Sequence, residues 1–302
     1  MKKNANIPKL VIAGFISLFF LACAEPEDEI KDIIDEQEDT TEVTDSVILV
    51  AGDWSNTFTE DFNNLSNWQK TSRFDYNSVH CRYDPAVPMV ESDDSLTYLV
   101  LTATKDDSKW KSGHVKSNYS FKPNKNEEYH LSAAIKLVAY KDSAYTDFKN
   151  TYGAWPAFWT VEENGWPTKG EIDILEAYSY GGTMKAATNI FYGTEVGKNL
   201  LGTTCERPYT ISEGWHVYDK YWKNVDGKIT ITISVDGEVK ATYTNGSNPN
   251  LVLENFTAHN IILNLNVGDN YGIFDNSKID IFTKTMMWVD YVKVEKRTYT
   301  EE

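Results

Sequence analysis

Three carboxylates fall within six residues, in Glu171-Ile172-Asp173-Ile174-Leu175-Glu176. Acids alternating with isoleucine are strand chemistry, because β-branched side chains fit a pleated, half-buried surface. Side chains two apart on a strand share a face, so Glu171 and Asp173 stand together while Ile172 and Ile174 turn the other way. Glu176 has the wrong parity to join them. One extra residue in a β-bulge, around Leu175, would bring it onto the acid face. Acids crowded in this way repel one another, and at least one is held protonated above its ordinary range. A protonated acid beside an ionised one is what glycoside hydrolysis requires. The solvated face of an amphipathic sheet would show the same spacing. The flanks favour chemistry: Trp155-Pro156-Ala157-Phe158-Trp159 and Trp166-Pro167 lie just upstream, and indole faces suit the C–H faces of sugar rings.

The elements that must position these acids are strands. Leu96–Thr104, Tyr129–Ala139, Lys228–Val235, Ile261–Val267 and Trp288–Glu295 are short β-rich runs. The clearest is Ile229-Thr230-Ile231-Thr232-Ile233-Ser234-Val235, apolar at every odd position and hydroxyl-bearing at every even one. Asp236-Gly237 is a hairpin turn, which makes Glu238–Tyr243 the return strand. No long helical period or internal repeat appears. The pattern predicts an all-β chain, an antiparallel β-sandwich. The segments Tyr140–Tyr152 and Tyr178–Met184 are expected as loops at the edge of a cleft.

The run Trp155-Pro156-Ala157-Phe158-Trp159, then Asn164-Gly165-Trp166-Pro167, then Gly170-Glu171-Ile172-Asp173-Ile174-Leu175-Glu176 resembles the signature block of glycoside hydrolase family 16. Within it the Glu-x-Asp-x-x-Glu spacing resembles the bulged, laminarinase-type branch. Other blocks resemble the family in the same order: Thr59–Asn63, Trp110–Val115, Ile261–Gly268 and Met287–Val294, so the similarity spans about residue 55 to 296. The resemblance implies a jelly roll with a concave substrate cleft and retaining, endo-acting cleavage of internal β-linkages. Glu171 would then be the nucleophile, Glu176 the acid/base and Asp173 the assisting acid, with no catalytic cofactor. It also implies sugar contacts at Trp155 and Trp159, and at Trp110, His114, Asn189 and Tyr271, which fall in cleft-lining blocks. Glu60 and Asp290 resemble positions associated with a structural calcium, an ion that takes carboxylate and carbonyl oxygens.

Departures from the laminarinase pattern cluster where sugars would bind. His114 stands where the family has Arg after Ser-Gly, Asn189-Ile190-Phe191-Tyr192-Gly193 lacks the usual His before Gly, and Asn266-Val267-Gly268-Asp269-Asn270-Tyr271 replaces Ala-Val-Gly-Gly-Asn-Trp. The expected substrate is β-1,3- or mixed-linkage glucan. The other candidates are β-galactosides, either mucin-type O-glycans with N-acetyllactosamine chains or agarose-like galactans. A transglycosylase would use the same residues. A non-catalytic glycan-binding lipoprotein would not need Glu171 and Glu176, and both are present.

Residues 1–23 read as a signal peptide: Lys2, Lys3 and Lys9 precede an apolar run too short to span a membrane comfortably. Ala22-Cys23 resembles a bacterial lipobox, with Cys23 lipidated. Residues 24–46 hold eleven acids against Lys31, an acidic tether that cannot bury enough surface to order itself. This predicts a surface lipoprotein on a bacterial outer membrane, with residues 47–302 as the β-sandwich domain. Of the net charge of −16, the signal supplies +3 and the tether −10, which leaves −9 on the domain. That acidity argues against nucleic acid or anionic membrane as partners of the fold. Cys81 and Cys205 are expected as structural thiols; their spacing alone leaves a disulfide open.

Overall fold

Alternating apolar and polar residues, punctuated by tight turns, fold here into two stacked β-sheets. The computed structural model describes residues 48–93, 96–106 and 109–302. The signal-peptide, lipobox and tether readings, Cys23 included, lie outside the described residues. So do positions 94, 95, 107 and 108. No α-helix occurs among the described residues, only four short 3-10 turns.

The sheet that carries the acids has seven strands. Their order is Arg207–Tyr209, Met184–Phe191, Glu171–Ser179, Ala154–Val161, His259–Val267, His114–Phe121 and Trp68–Lys70, every neighbour antiparallel. The second sheet has thirteen strands, built around Glu127–Lys141 and Lys284–Glu301. Among the described residues its one parallel pairing sets Cys81–Tyr83 beside Lys109–Ser112. The expected strands are present, and the last is longer than the sequence pattern, running from Lys284 to Glu301. The hairpin Lys228–Val235 to Glu238–Tyr243 turns at Asp236 and Gly237, with φ of 52° and 79°. Two positive values in a row are the turn whose twist matches the strands.

The core lies between the sheets. Leu99, Leu101, Leu131, Ile135, Met287 and Val289 from the large sheet meet Phe158, Ile172, Ile174, Leu175, Ile190 and Leu263 from the small one, all buried. Cys81 and Cys205 are buried and unbridged. The two segments expected at the cleft edge contribute Tyr152, Tyr178 and Tyr180 to an aromatic cluster with Trp155 and Phe274, separate from the core between the sheets.

The acid strand is fixed at its start by polar contacts inside the core. Lys220 is fully buried. Its Nζ donates to Thr160 Oγ1 at 2.7 Å and lies 4.6 Å from the Phe121 ring centre. Thr160 Oγ1 meets His259 Nδ1 at 3.3 Å, and His259 Nε2 meets the Lys169 carbonyl at 2.9 Å. A carbonyl only accepts, so His259 carries its proton on Nε2. Gly170 follows, with φ of 81°. A Cβ there would lie 2.4 Å from the Phe256 ring, so the step into Glu171 admits no side chain.

Candidate active site

The small sheet turns a row of alternate side chains away from the core. On Ala154–Val161 these are Trp155, Ala157, Trp159 and Val161, and on His259–Val267 they are Asn264 and Asn266. On the acid strand they are Glu171, Asp173 and Glu176. Glu176 joins them by the expected bulge. Asp173 pairs with Asn189 and Glu176 with Ala187, so two residues face one across this step. Against the other neighbour, Trp159 pairs with Asp173 and Phe158 with Leu175. Ile174 and Leu175 are the bulged residues and both point into the core. Their apolar bulk holds the irregularity in place, and the parity lost there is what returns Glu176 to the acid face.

These side chains line a cavity of about 280 Å³. Each glutamate is gripped by an indole. Trp166 Nε1 donates to Glu171 Oε2 at 2.7 Å, and Trp155 Nε1 donates to Glu176 Oε1 at 3.2 Å. The Tyr178 hydroxyl donates to the same Glu176 oxygen at 3.0 Å. Indole N–H groups only donate, so each carboxyl has one oxygen fixed and the other left for chemistry.

Burial raises Glu171 above the ordinary carboxylate range. The Glu176 charge adds to the rise and the Trp166 hydrogen bond opposes it. Burial also raises Glu176, against the donors Tyr178 and Trp155. Asp173 stands well above its usual range, from burial and then from both glutamates. Its Oδ2 is buried with no partner among the described residues, a state that suits a protonated carboxyl rather than an anion. The three therefore share protons and do not all ionise at neutral pH.

The other predicted contacts divide. His114 is buried at the cavity, with Nδ1 at 2.8 Å from Thr71 Oγ1 and Nε2 without a partner among the described residues. Burial pushes its pKa down to about 3, so it offers a neutral imidazole where the resemblance predicts a guanidinium. Trp159 donates to Asn264 Oδ1 at 2.7 Å, and Tyr271 stands at the mouth, 70% exposed. Trp110 and Asn189 do not line the cavity. Trp110 belongs to the larger sheet and packs against the core, and buried Asn189 uses its amide oxygen on the Ile190 N–H. Buried Glu60 accepts from Phe62 N, Asn67 Nδ2 and Trp68 Nε1, and Asp290 is raised by burial and then by Asp61 and Asp93.

Several cavity residues had no signal in the sequence. Asp75, Tyr76 and Asn77 come from an irregular loop and Glu163 from the turn before Trp166. Asn264 and Asn266 could have been found, as polar residues in phase along an otherwise apolar strand.

Comparisons with known proteins agree with this geometry. Residues 140–196 match the family model described as XgeA-like, catalytic GH16 domain. A glucan endo-1,3-beta-glucosidase of Cryptopygus antarcticus is 32% identical over 155 residues, which cover 46% of this chain and 55% of that one. The chain thus spans about half the length of that curated relative. Among solved structures, the GH16 protein of the Bacteroides ovatus mixed-linkage glucan PUL, in complex with G4G4G3G product, is similar with a TM-score of 0.60 and 27% identity. The match covers 78% of this chain and 99% of that chain. The endo-1,3-beta-glucanase of Streptomyces sioyaensis shares the fold at a TM-score of 0.63 and 22% identity, over 80% of this chain and 96% of its own.

Proposed function

We propose that this chain is a retaining endo-β-glycosidase acting on β-1,3- or mixed-linkage glucan. The observation that carries the reading is the bulged strand: it sets two indole-held glutamates and a protonated aspartate on one face of an aromatic-walled cavity. The curated relative and the Bacteroides ovatus structure, named for glucans, support the substrate class.

The chemistry follows from the positions. Glu171, ionised, attacks the anomeric carbon and forms a glycosyl-enzyme ester. Glu176, protonated, gives its proton to the departing glycosidic oxygen. Water then enters, loses a proton to Glu176 and attacks the same carbon, which frees Glu171. Asp173 supplies a neutral neighbour to Glu171, so that the negative charge can reside on the nucleophile. Trp166 keeps one Glu171 oxygen turned aside and Trp155 does the same for Glu176. The export and outer-membrane anchoring read from residues 1–46, with Cys23 lipidated, complete the proposal: a surface enzyme meeting a polymer too large to import.

The test is product analysis with laminarin, mixed-linkage glucan, agarose, keratan-type glycan and mucin O-glycans, using Glu171→Gln as control. Oligosaccharides from a glucan are expected. Release from galactose-containing chains alone would reassign the substrate, and neutral His114 would be the first residue to explain it. Binding without products from any glycan would overturn the enzyme reading.

A further inference from the structure

The wall of the cleft nearest His114 is built around a tyrosine held on two sides. The Arg73 guanidinium lies 3.3 Å from the centre of the Tyr76 ring. The Tyr76 hydroxyl donates to Glu163 Oε1 at 2.8 Å. Glu163 also takes Arg73 at 3.3 Å and Lys116 at 2.9 Å, so one carboxylate locks both the ring and the cation beneath it. Arg73 Nη1 is buried with no hydrogen-bond partner among the described residues, which leaves it to the π-face of Tyr76.

The loop itself is fastened to the cleft floor. Asp75 accepts the Tyr83 hydroxyl, Tyr83 accepts from Asn264 Nδ2 at 3.0 Å, and Asn264 accepts from Trp159. Asn270 N donates to the Asn77 carbonyl at 2.7 Å, and Val79 N donates to Asn270 Oδ1 at 3.0 Å. Despite this anchoring Tyr76 is 57% exposed and lines the same cavity as the acids. A fixed aromatic ring with one face covered by a cation and its side open to a cleft has lost its freedom before any ligand arrives. That is the condition under which stacking gives most affinity.

We propose that Tyr76 is an aromatic platform for one pyranose ring of a β-glucan, placed at the mouth of the catalytic cleft and made rigid by Arg73 and Glu163. The inference rests on the glycosidase reading for its ligand class. A neutral sugar fits better than an anionic one, because Arg73 and Lys116 already share Glu163. Beside this loop, next to Asn270, Tyr271 also lines the cavity and is 70% exposed, with no ring or hydroxyl contact among the described residues.

The experiment compares Tyr76→Ala and Tyr76→Phe, both checked for folding by thermal unfolding. On long glucan chains Tyr76→Ala should raise KM by roughly three- to tenfold, the range one aromatic contact supplies, with a much smaller change in kcat. Tyr76→Phe keeps the ring on Arg73 and should raise KM less than threefold. Equal effects of the two variants, or an unchanged KM in Tyr76→Ala, would overturn the platform while leaving the glycosidase reading intact. The same pair is then placed in the Glu171→Gln background and run on native gels containing laminarin or mixed-linkage glucan. Retardation of the parent, lost with Ala and kept with Phe, supports the platform even without turnover. A parent that is not retarded by either glucan overturns it. If the wild type also releases no products, the glycosidase reading falls with it.

Discussion

Glu163, Glu171 and Glu176 line one cavity, yet Glu163 sits below the ordinary carboxylate range and the other two above it. Burial pushes Glu163 up as it does the others, but Lys116 and Tyr76 hydrogen bonds outweigh it and hold the carboxyl low. Glu171 and Glu176 receive only uncharged donors, from indoles and a phenol, and each faces further acid. Burial alone therefore does not make a general acid. A buried carboxyl stays above its ordinary range when its hydrogen-bond donors are neutral and no adjacent cation pairs with it.

The comparison is broken most completely by removing the acids. Glu171→Gln or Glu176→Gln should lower kcat/KM on glucan by about a thousandfold or more, within or beyond the range of positioned acid–base catalysis. An enzyme losing less than tenfold would place the chemistry elsewhere. Asp173→Asn should lower kcat by about ten- to a hundredfold, since Asp173 tunes the proton shared with the two glutamates. It has a second, opposite signature. A group whose folded pKa is raised binds more protons folded than unfolded, so stability falls as pH climbs above the unfolded value of about 4. Asp173→Asn should therefore unfold at a higher temperature than the wild type at pH 8 and near the same temperature at pH 4. A variant less stable at both pH values would show that Asp173 is structural.

Glu163→Gln sharpens the contrast from the other side. Its charge helps to raise Glu171, and its loss leaves Arg73 and Lys116 uncompensated. Both changes favour ionised Glu171, so the Glu171-dependent limb of the pH–rate profile should move to lower pH, by less than one unit. A shift to higher pH would contradict the charge account. The smallest effect is expected at Lys220, a fully buried amine with no ion-pair partner among the described residues. Burial drives it well below its ordinary range, so the folded chain holds fewer protons there and stability rises with pH toward about 10. Lys220→Met should flatten that rise in thermal unfolding between pH 7 and 9, with little change in activity.

What could be read beforehand follows from where the information lies. The hairpin Lys228–Val235 to Glu238–Tyr243 was legible because one face is wet and the other dry, which writes the period into the sequence. The acids and their bulge were legible because the odd spacing of Asp173 and Glu176 has one simple geometric remedy. Ala154–Val161 gave a mixed signal: Phe158 is core, while Ala157 beside it lines the cavity. Tyr76 and Glu163 were hidden, because residues 87 apart in sequence meet only after both sheets have formed. Trp110 was misplaced for a related reason, because position in a block does not say which sheet a residue joins.

The bulge also has a genetic consequence. Asp173 and Glu176 are three residues apart, an odd interval that only an irregular strand can reconcile. Loss of one codon, for Ile174 or Leu175, would leave Glu-x-Asp-x-Glu in strict alternation, with all three acids still facing the cleft. Passage between a kinked and a straight active strand therefore needs a deletion rather than any substitution. The obstacle is volumetric, since both bulged side chains are fully buried and removing either opens a hole in the core.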